Sequence, residues 1–250
     1  MIQGTSSGAG KSTLVTAFCR IFSDMGYSVS PFKAQNMTSN FYPILNSKRV
    51  AVIQAIQAFA SRREPDTRMN PILLEPVGEY RSNIFLDGNF FGQMAAEEYY
   101  QNFVLEEGFS NVLKCLDALR LENDIVVIEG AGSPAEINIA EFDIANMVLA
   151  EKVCAPVILT ADIERGGCFA SIVGTMELLK PHHQELVKGI LINKFRGDKR
   201  LLLKAIRSVE QITKKEVFGV VPRIKFALPP EDSLDEVKAY PLVEMRESLD

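Results

Sequence analysis

Gly4-Thr5-Ser6-Ser7-Gly8-Ala9-Gly10-Lys11-Ser12-Thr13 is the stretch from which the rest of the chain can be read. Small residues run into Gly10-Lys11-Ser12, and an apolar run, Leu14-Val15-Thr16-Ala17-Phe18-Cys19, follows at once. A loop of this composition turns its backbone N–H groups toward a phosphate, and the N-terminus of the helix behind it adds partial positive charge. Lys11 can neutralise the outer phosphates, and the Ser12 hydroxyl can ligate Mg²⁺. Five residues, rather than the usual four, separate Gly4 from Gly10. The alternative is a Gly/Ser-rich strand-to-helix turn with no ligand. It is disfavoured because Gly10-Lys11-Ser12-Thr13 follows a possible strand and opens a helix, as a phosphate loop requires.

The totals set outer limits. At 250 residues the chain can form one large α/β domain or two small ones. Its 47% hydrophobic and 24% charged content is ordinary for a globular protein. A net charge of −5 leaves no basic footprint for nucleic acid, so no nucleic-acid partner is expected. No apolar run approaches the length of a membrane span and no signal peptide precedes the loop, so the expectation is a cytoplasmic protein with no membrane partner. Cys19, Cys115, Cys154 and Cys168 form no CxxC pair and are expected to be reduced and mostly buried. Only Met1-Ile2-Gln3 precede Gly4, so either the first strand is very short or the chain lacks residues before it.

Working outward, Leu14 to Met25 reads as a helix stopped by Gly26, and 28–33 as a strand that delivers Lys33, Gln35 and Asn36 at its end. Residues 50–63 have helical composition, with Gln54 and Gln57 on one face. Ile72 to Pro76 and 82–86 read as short strands. Gly92 to about Leu121 reads as helical, interrupted near Gly108-Phe109-Ser110, where Ser110 could cap the second half. Asp124-Ile125-Val126-Val127-Ile128-Glu129 is the clearest buried strand and places Glu129 ahead of a glycine-rich turn, where a nucleotide-bound Mg²⁺ would sit. Asp143 opens another helix, and Pro156 to Asp162 is a strand carrying Asp162 and Arg165 at its tip. Phe169 to Leu179 is helical; His182 and His183 then fall in a turn. Neighbouring histidines do not share one face of a helix, so no metal role is expected of them and they are read as surface residues. Residues 188–194 form a strand ending on Asn193, 198–213 an amphipathic helix, and 216–222 the last strand, ending at Pro222. Beyond it the acidic, Pro-broken stretch 226–250 reads as a linker. Alternating strands and helices predict a mostly parallel sheet covered by helices on both faces. Ligands of such a sheet sit beyond the carboxyl ends of its strands. Five of those ends carry polar groups: the 4–12 loop, Lys33, Glu129, Asp162 and Asn193. Phosphoryl transfer asks for little more than such positioning and charge neutralisation.

With these residues in place, the chain resembles the synthetase domain of the cobyric acid synthase family. Those are P-loop amidoligases related to dethiobiotin synthetase. The matching blocks are Gln3 to Ser12, Pro31 to Met37, Met69 to Leu74, Glu129 to Asn138, Asp143 to Met147, Ala161 to Gly167, Asn193 to Asp198 and Leu228 to Leu234. They occur in order over nearly the whole chain. The resemblance implies a three-layer P-loop NTPase fold over 1–225, with 226–250 as the junction to a glutaminase domain. It implies ATP-dependent amidation of peripheral carboxylates of a corrinoid, adenosylcobyrinic acid a,c-diamide to cobyric acid. The step would pass through an acyl phosphate, with ATP and Mg²⁺ as cofactors and glutamine or ammonia as nitrogen source. By the same resemblance Thr5, Ser6, Ser7, Gly8, Ala9, Gly10, Lys11, Ser12 and Thr13 hold the phosphates. Ser12 and Glu129 hold Mg²⁺, Lys33 lies near the γ-phosphate, and Asn193 and Pro222 frame the adenine. Gln35, Asn36 and Arg165 fall on the substrate side with Asp143 and Asp162, and the catalytic set is Lys11, Lys33, Glu129, Asp143 and Asp162.

Three departures from the family pattern stand out. No cysteine here sits in a nucleophile elbow and both histidines follow Pro181, so glutamine hydrolysis is expected outside this polypeptide, in a separate or missing glutaminase domain. Arg49 stands where the family tends to have an acidic residue, and Glu75 where it has lysine. Two other readings remain: a neighbouring ligase of the dethiobiotin or cobyrinic acid a,c-diamide type, and a partitioning-type ATPase switch. The switch usually carries an additional lysine early in the loop; this loop has Lys11 alone. A homodimer is left open.

Overall fold

The computed structural model describes residues 1–78, 80–224 and 228–229. The expected linker therefore lies outside the described residues except for Leu228 and Pro229. In chain order the strands are β1 (Ile2–Gly4), β2 (Val29–Phe32), β3 (Gln35–Met37), β4 (Phe41–Pro43), β5 (Arg49–Ala51), β6 (Ile72–Gly78), β7 (Arg81–Leu86), β8 (Asn89–Ala95), β9 (Ile125–Ile128), β10 (Val157–Asp162), β11 (Val187–Phe195) and β12 (Val217–Pro222). The helices are α1 (Lys11–Asp24), α2 (Val52–Ala60), α3 (Ala96–Glu98), α4 (Phe109–Glu122), α5 (Met147–Lys152), α6 (Cys168–Leu178), α7 (Pro181–Leu186) and α8 (Leu203–Thr213). They fall into two compact units, 1–11 with 129–227 and 12–128 with 228–250.

The first unit is built on a parallel sheet in the order β1-β10-β11-β12. Val157, Leu159 and Val187 pack with Met147 and Ala150 of α5 and Met176 of α6. Farther along the strands, Ala161, Ile190 and Ile192 pack with Cys168 and Ile172 of α6 and Val209 of α8. Alternate residues on the other side of β10 and β11, Thr160 and Leu191 among them, are buried as well. This is why these strands read as continuous apolar runs. β1 pairs with β10 from Ile2 to Gly4.

In the second unit β2 pairs with β9 in parallel, and β3 with β6. α1 ends as expected at Gly26, whose φ of 91° closes a cap: Tyr27 N–H bonds the Phe22 carbonyl and Gly26 N–H that of Ser23. α2 is apolar almost all round and correspondingly buried. Its two glutamines are accommodated by an amide chain, Asn36 Nδ2 donating to Gln54 Oε1 at 2.9 Å and Gln54 Nε2 to Gln57 Oε1 at 3.5 Å.

Four expectations need correction. Gly92 to Ala95 is strand, because β6, β7 and β8 form an antiparallel meander. Its second turn is Asp87-Gly88, both residues at positive φ, a pair suited to a tight hairpin. The helix after it is not interrupted at Gly108. Residues Tyr99–Gly108 take π-helical turns that lead straight into α4, so Ser110 is not a cap. The helix expected to open at Asp143 starts at Met147, because 143–146 is held as a turn by side-chain bonds to Asp143. His182 and His183 lie in α7, a short helix with Pro181 in its first turn, and His183 is buried rather than on the surface, because the helix turns it toward Glu151 of α5.

Candidate active site

In the first unit, β1 releases the chain into the phosphate-loop sequence. Thr5 N–H donates to the Thr160 carbonyl of β10 at 2.9 Å, which fixes where the loop begins. Gly8 and Gly10 take φ of 71° and 93°, where only glycine is unstrained. Lys11 is buried, its Nζ donating to the carbonyls of Ser6 at 3.2 Å and Gly132 at 2.8 Å. Both carbonyls are neutral acceptors, so a phosphate oxygen can compete with them for the ammonium.

The far side of the loop is tied to the tip of β11. Asn193 Nδ2 donates to the Ala9 carbonyl at 2.9 Å, and Lys194 Nζ to that of Gly8 at 2.6 Å. Two successive strand residues ordinarily face opposite ways. Here Lys194 has φ 61° and the register with β12 shifts at this point, which turns both side chains onto the loop. Lys194 also pairs with Asp162 Oδ2 at 2.8 Å, while Asp162 Oδ1 accepts from Glu164 N–H at 2.8 Å. Asp162 thus spends both oxygens bracing the loop's support. Glu129 is fully buried beside Ile2, and Gly130 N–H donates to the Ile2 carbonyl at 2.8 Å. Arg165 is exposed on the turn after β10, next to Gly166 and Gly167 at positive φ. Pro222 is exposed at the end of β12 opposite Phe195.

Asp143 accepts from Asn146 Nδ2 at 2.8 Å and Ala145 N–H at 3.2 Å, yet burial pushes its carboxyl up to about 6. The sign of the consequence follows. Between 3.8 and about 6 the unfolded chain ionises while the native carboxyl keeps its proton, so stability falls as pH rises through that window. The loss reaches about 3 kcal/mol above it. An Asp143→Asn variant is expected to flatten that part of the curve, as read from urea midpoints at a series of pH values. Parallel curves for the two proteins would contradict the assignment.

Buried oxygens that lack a hydrogen-bond partner include Gln3 Oε1, Asn146 Oδ1 and Thr160 Oγ1 in this unit.

In the second unit, Ser12 and Thr13 occupy the first turn of α1, where N–H groups have no partner within the helix. Lys33 is buried at the tip of β2, its N–H bonded to the Met69 carbonyl and its own carbonyl to Asn70 Nδ2. Asn36 turns to Gln54, as above, while Gln35 lines a cavity of about 380 Å³. Met37, Leu74, Ile84, Met94 and Tyr100 make its walls mostly apolar. Tyr99 also lines it and donates its hydroxyl to Gln35 Oε1 at 2.7 Å. Burial pushes that hydroxyl well above its usual range, so it stays a donor. The Gln35 amide N–H groups remain for a ligand's oxygen. Arg49 stacks its guanidinium over Phe41 at 5.0 Å and Phe85 at 4.5 Å, a cation–π clamp. Glu75 accepts from Asn83 Nδ2 across the β6–β7 ladder at 3.0 Å.

Sequence reasoning missed Lys194, Asn146 and the cavity. The signal for Lys194 was its place directly after Asn193, where the strand was expected to end. The cavity needs β7, β8 and the π-helical stretch together, and local periodicity does not show such an assembly.

Residues 1–232 match the family model described as the CobQ/CobB/MinD/ParA nucleotide binding domain. Among curated relatives, a probable cobyric acid synthase from Thermococcus kodakarensis is 50% identical over 236 residues, covering 94% of this chain and 49% of that protein. The cobyric acid synthase of Streptococcus sanguinis is 45% identical, covering 100% of this chain and 50% of that protein. That of Dehalococcoides mccartyi strain CBDB1 is 48% identical over 95% of this chain and 48% of its own length. The chain therefore spans about half the length of the curated relatives it matches. Among solved structures, the GDP complex of the signal recognition particle receptor FtsY from Elizabethkingia anophelis shares 16% identity at a TM-score of 0.48, a likeness too slight to establish the fold. The α/β architecture, the glycine-rich loop running into α1 and the match over 1–232 agree: the chain belongs to the CobQ/CobB/MinD/ParA nucleotide-binding-domain family, and the relatives it matches are cobyric acid synthases.

Proposed function

We propose that the chain is the ATP-dependent amide-forming part of a cobyric acid synthase, converting peripheral carboxylates of a corrinoid such as adenosylcobyrinic acid a,c-diamide to amides. One observation carries the reading. The loop is gripped from both sides, by Lys11 within it and by Asn193 and Lys194 from β11, in a chain whose relatives bear that name. Lys11 and the loop N–H groups bind the triphosphate, with Ser12 and Thr13 at the helix start. Ser12 and Glu129 hold Mg²⁺, which supplies charge neutralisation to the phosphates. Asn193 and Pro222 frame the adenine.

A carboxylate is a poor electrophile, and its repulsion from a triphosphate must be offset; Lys11 and Lys33 do this. Transfer of the γ-phosphoryl group to a carboxylate oxygen makes a mixed anhydride. Ammonia then forms the C–N bond as the C–O bond to phosphate breaks, and inorganic phosphate leaves. The nitrogen must shed a proton, and Asp143, with a carboxyl poised near 6, is suited to take it. Asp162 acts through Lys194, and Arg165, exposed on its turn, meets a carboxylate of the acceptor. Gln35, with Asn36 behind it, reads the acceptor from the cavity. That cavity lies at the lower end of the roughly 300–1,000 Å³ usual for small-molecule sites, so it seats one apolar flank of a macrocycle rather than the whole. Ammonia comes from a glutaminase part or from solution. No helix of the described residues is long and apolar enough to cross a membrane, and we place the reaction in the cytoplasm.

The test is to mix the chain with ATP, Mg²⁺, ammonium and the a,c-diamide. Phosphate and amidated corrinoid are expected in equal amounts, whereas ATP turnover indifferent to corrinoid would count against the reading. The family description also takes in MinD and ParA, so nucleotide-dependent dimerisation without small-molecule stimulation would favour the switch instead. If the cavity is the acceptor's seat, Met94→Trp should raise the KM for corrinoid severalfold and leave nucleotide affinity unchanged. An unaltered KM would remove the cavity from the mechanism.

A further inference from the structure

Glu151 near the end of α5 and the neighbouring histidines of α7 converge in the first unit. His183 Nε2 lies 3.0 Å from Glu151 Oε2, and His182 Nε2 lies 3.7 Å from Glu151 Oε1. The two imidazole rings meet edge to face at 4.3 Å, and one ligand atom from each residue lies within 4.8 Å of the others. Successive helical residues normally diverge by about 100°. α7 is short enough that both rings fold back over the same carboxylate.

We propose that Glu151, His182 and His183 form a binding site for one divalent transition-metal ion of the Zn²⁺ type, separate from the nucleotide machinery. Ligand bonds of about 2.0–2.2 Å in a tetrahedron put neighbouring ligand atoms about 3.4 Å apart. The two observed nitrogen–oxygen distances, 3.0 Å to Glu151 Oε2 and 3.7 Å to Glu151 Oε1, lie on either side of that value, and one ligand atom from each residue stays within 4.8 Å of the others. The two helices carrying the ligands are held by their own packing: Met147 and Ala150 of α5 share a cluster with Met176 and Leu179, and Leu186 of α7 packs against it. Gln184 further pins α7, its Nε2 donating to the carbonyls of Met176 at 2.8 Å and Leu179 at 3.0 Å. The His183 side chain is mostly buried, while those of His182 and Glu151 are about half exposed, which leaves an entry path and a position for water. Hydrogen bonding does not account for the whole group, since His182 at 3.7 Å is beyond hydrogen-bond reach of the carboxylate. Imidazole and carboxylate together suit Zn²⁺, Ni²⁺ or Cu²⁺ and not Mg²⁺ or Ca²⁺, which ask for oxygen donors. On binding, any hydrogen on His183 Nε2 moves to Nδ1 of the same ring or leaves to solvent, and the ion takes the freed lone pair. The ion would then cross-link α5 to α7.

Calorimetric titration of the tag-free full chain with Zn²⁺, without nucleotide, tests this. One ion per chain is expected, with a thermal midpoint that rises with Zn²⁺ concentration. Mg²⁺ at the same concentrations should do neither. His182→Ala and Glu151→Gln, both at exposed positions, should each weaken binding by more than the roughly 10- to 100-fold typical of losing a second-shell partner. Cys154→Ser removes the exposed thiol nearby and should change nothing. Absence of Zn²⁺ binding, binding undiminished in His182→Ala and Glu151→Gln, or binding lost only in Cys154→Ser would each overturn the site.

Discussion

A Lys11→Ala variant is expected to lose ATP turnover by about 100- to 1,000-fold, the range seen when one preorganised charge-stabilising donor is removed. Lys11 Nζ is buried against the Ser6 and Gly132 carbonyls, which hold its ammonium out of bulk water within the loop. Removing it takes away the positive charge and leaves two carbonyl dipoles pointing at an anion. Nucleotide affinity should fall along with turnover. Lys11→Arg should not rescue, because a planar fork does not fit a buried slot shaped for a compact ammonium. Equilibrium binding of a fluorescent ATP analogue, beside phosphate release, checks both. Unchanged affinity in Lys11→Ala would refute the assignment of the loop.

The second large effect is predicted at Gly10. Any side chain there must adopt φ of 93°, and its Cβ would run into the Asn193 amide. The backbone strain costs about 1–2 kcal/mol. Displacing Asn193 also breaks its bond to the Ala9 carbonyl, worth about 1 kcal/mol. Together these correspond to about a 100-fold loss of nucleotide affinity for Gly10→Ala. Gly8→Ala separates the two causes. Gly8 is also at positive φ but a Cβ there meets nothing within 4 Å, so only the strain should appear, about a tenfold loss. Equal losses in the two variants would mean that Asn193 does not position the loop. Circular dichroism should show both variants folded, since neither glycine lies inside a strand or helix.

The order of strands and helices was legible wherever one local signal dominated. The apolar run of β9 and the glycine after α1 each contain their own structural instruction, and β9 and the end of α1 stand within a residue of expectation, while α1 begins at Lys11, three residues before Leu14. The residue types along the strand tips were legible for the same reason: a parallel strand delivers its last polar residue to a known edge. Where two weak signals competed, neighbours in space decided. Residues 92–95 have no strong preference of their own and become strand because β7 lies alongside to pair with them. Lys194 lies just past the expected end of its strand at Asn193, yet a register shift turns it onto Gly8. Asn36 looked like a partner of Gln35, but packing of α2 claimed it for Gln54 while Gln35 faces the cavity. The grouping of Glu151 with His182 and His183 joins residues about thirty positions apart, and only the packing of α5 and α7 against a common cluster brings them together. Composition and spacing along the chain thus specified which chemical groups the protein carries and which strand ends present them. Which groups touch was decided by tertiary packing, because side-chain contact depends on registers, bulges and shared cores that no single segment encodes.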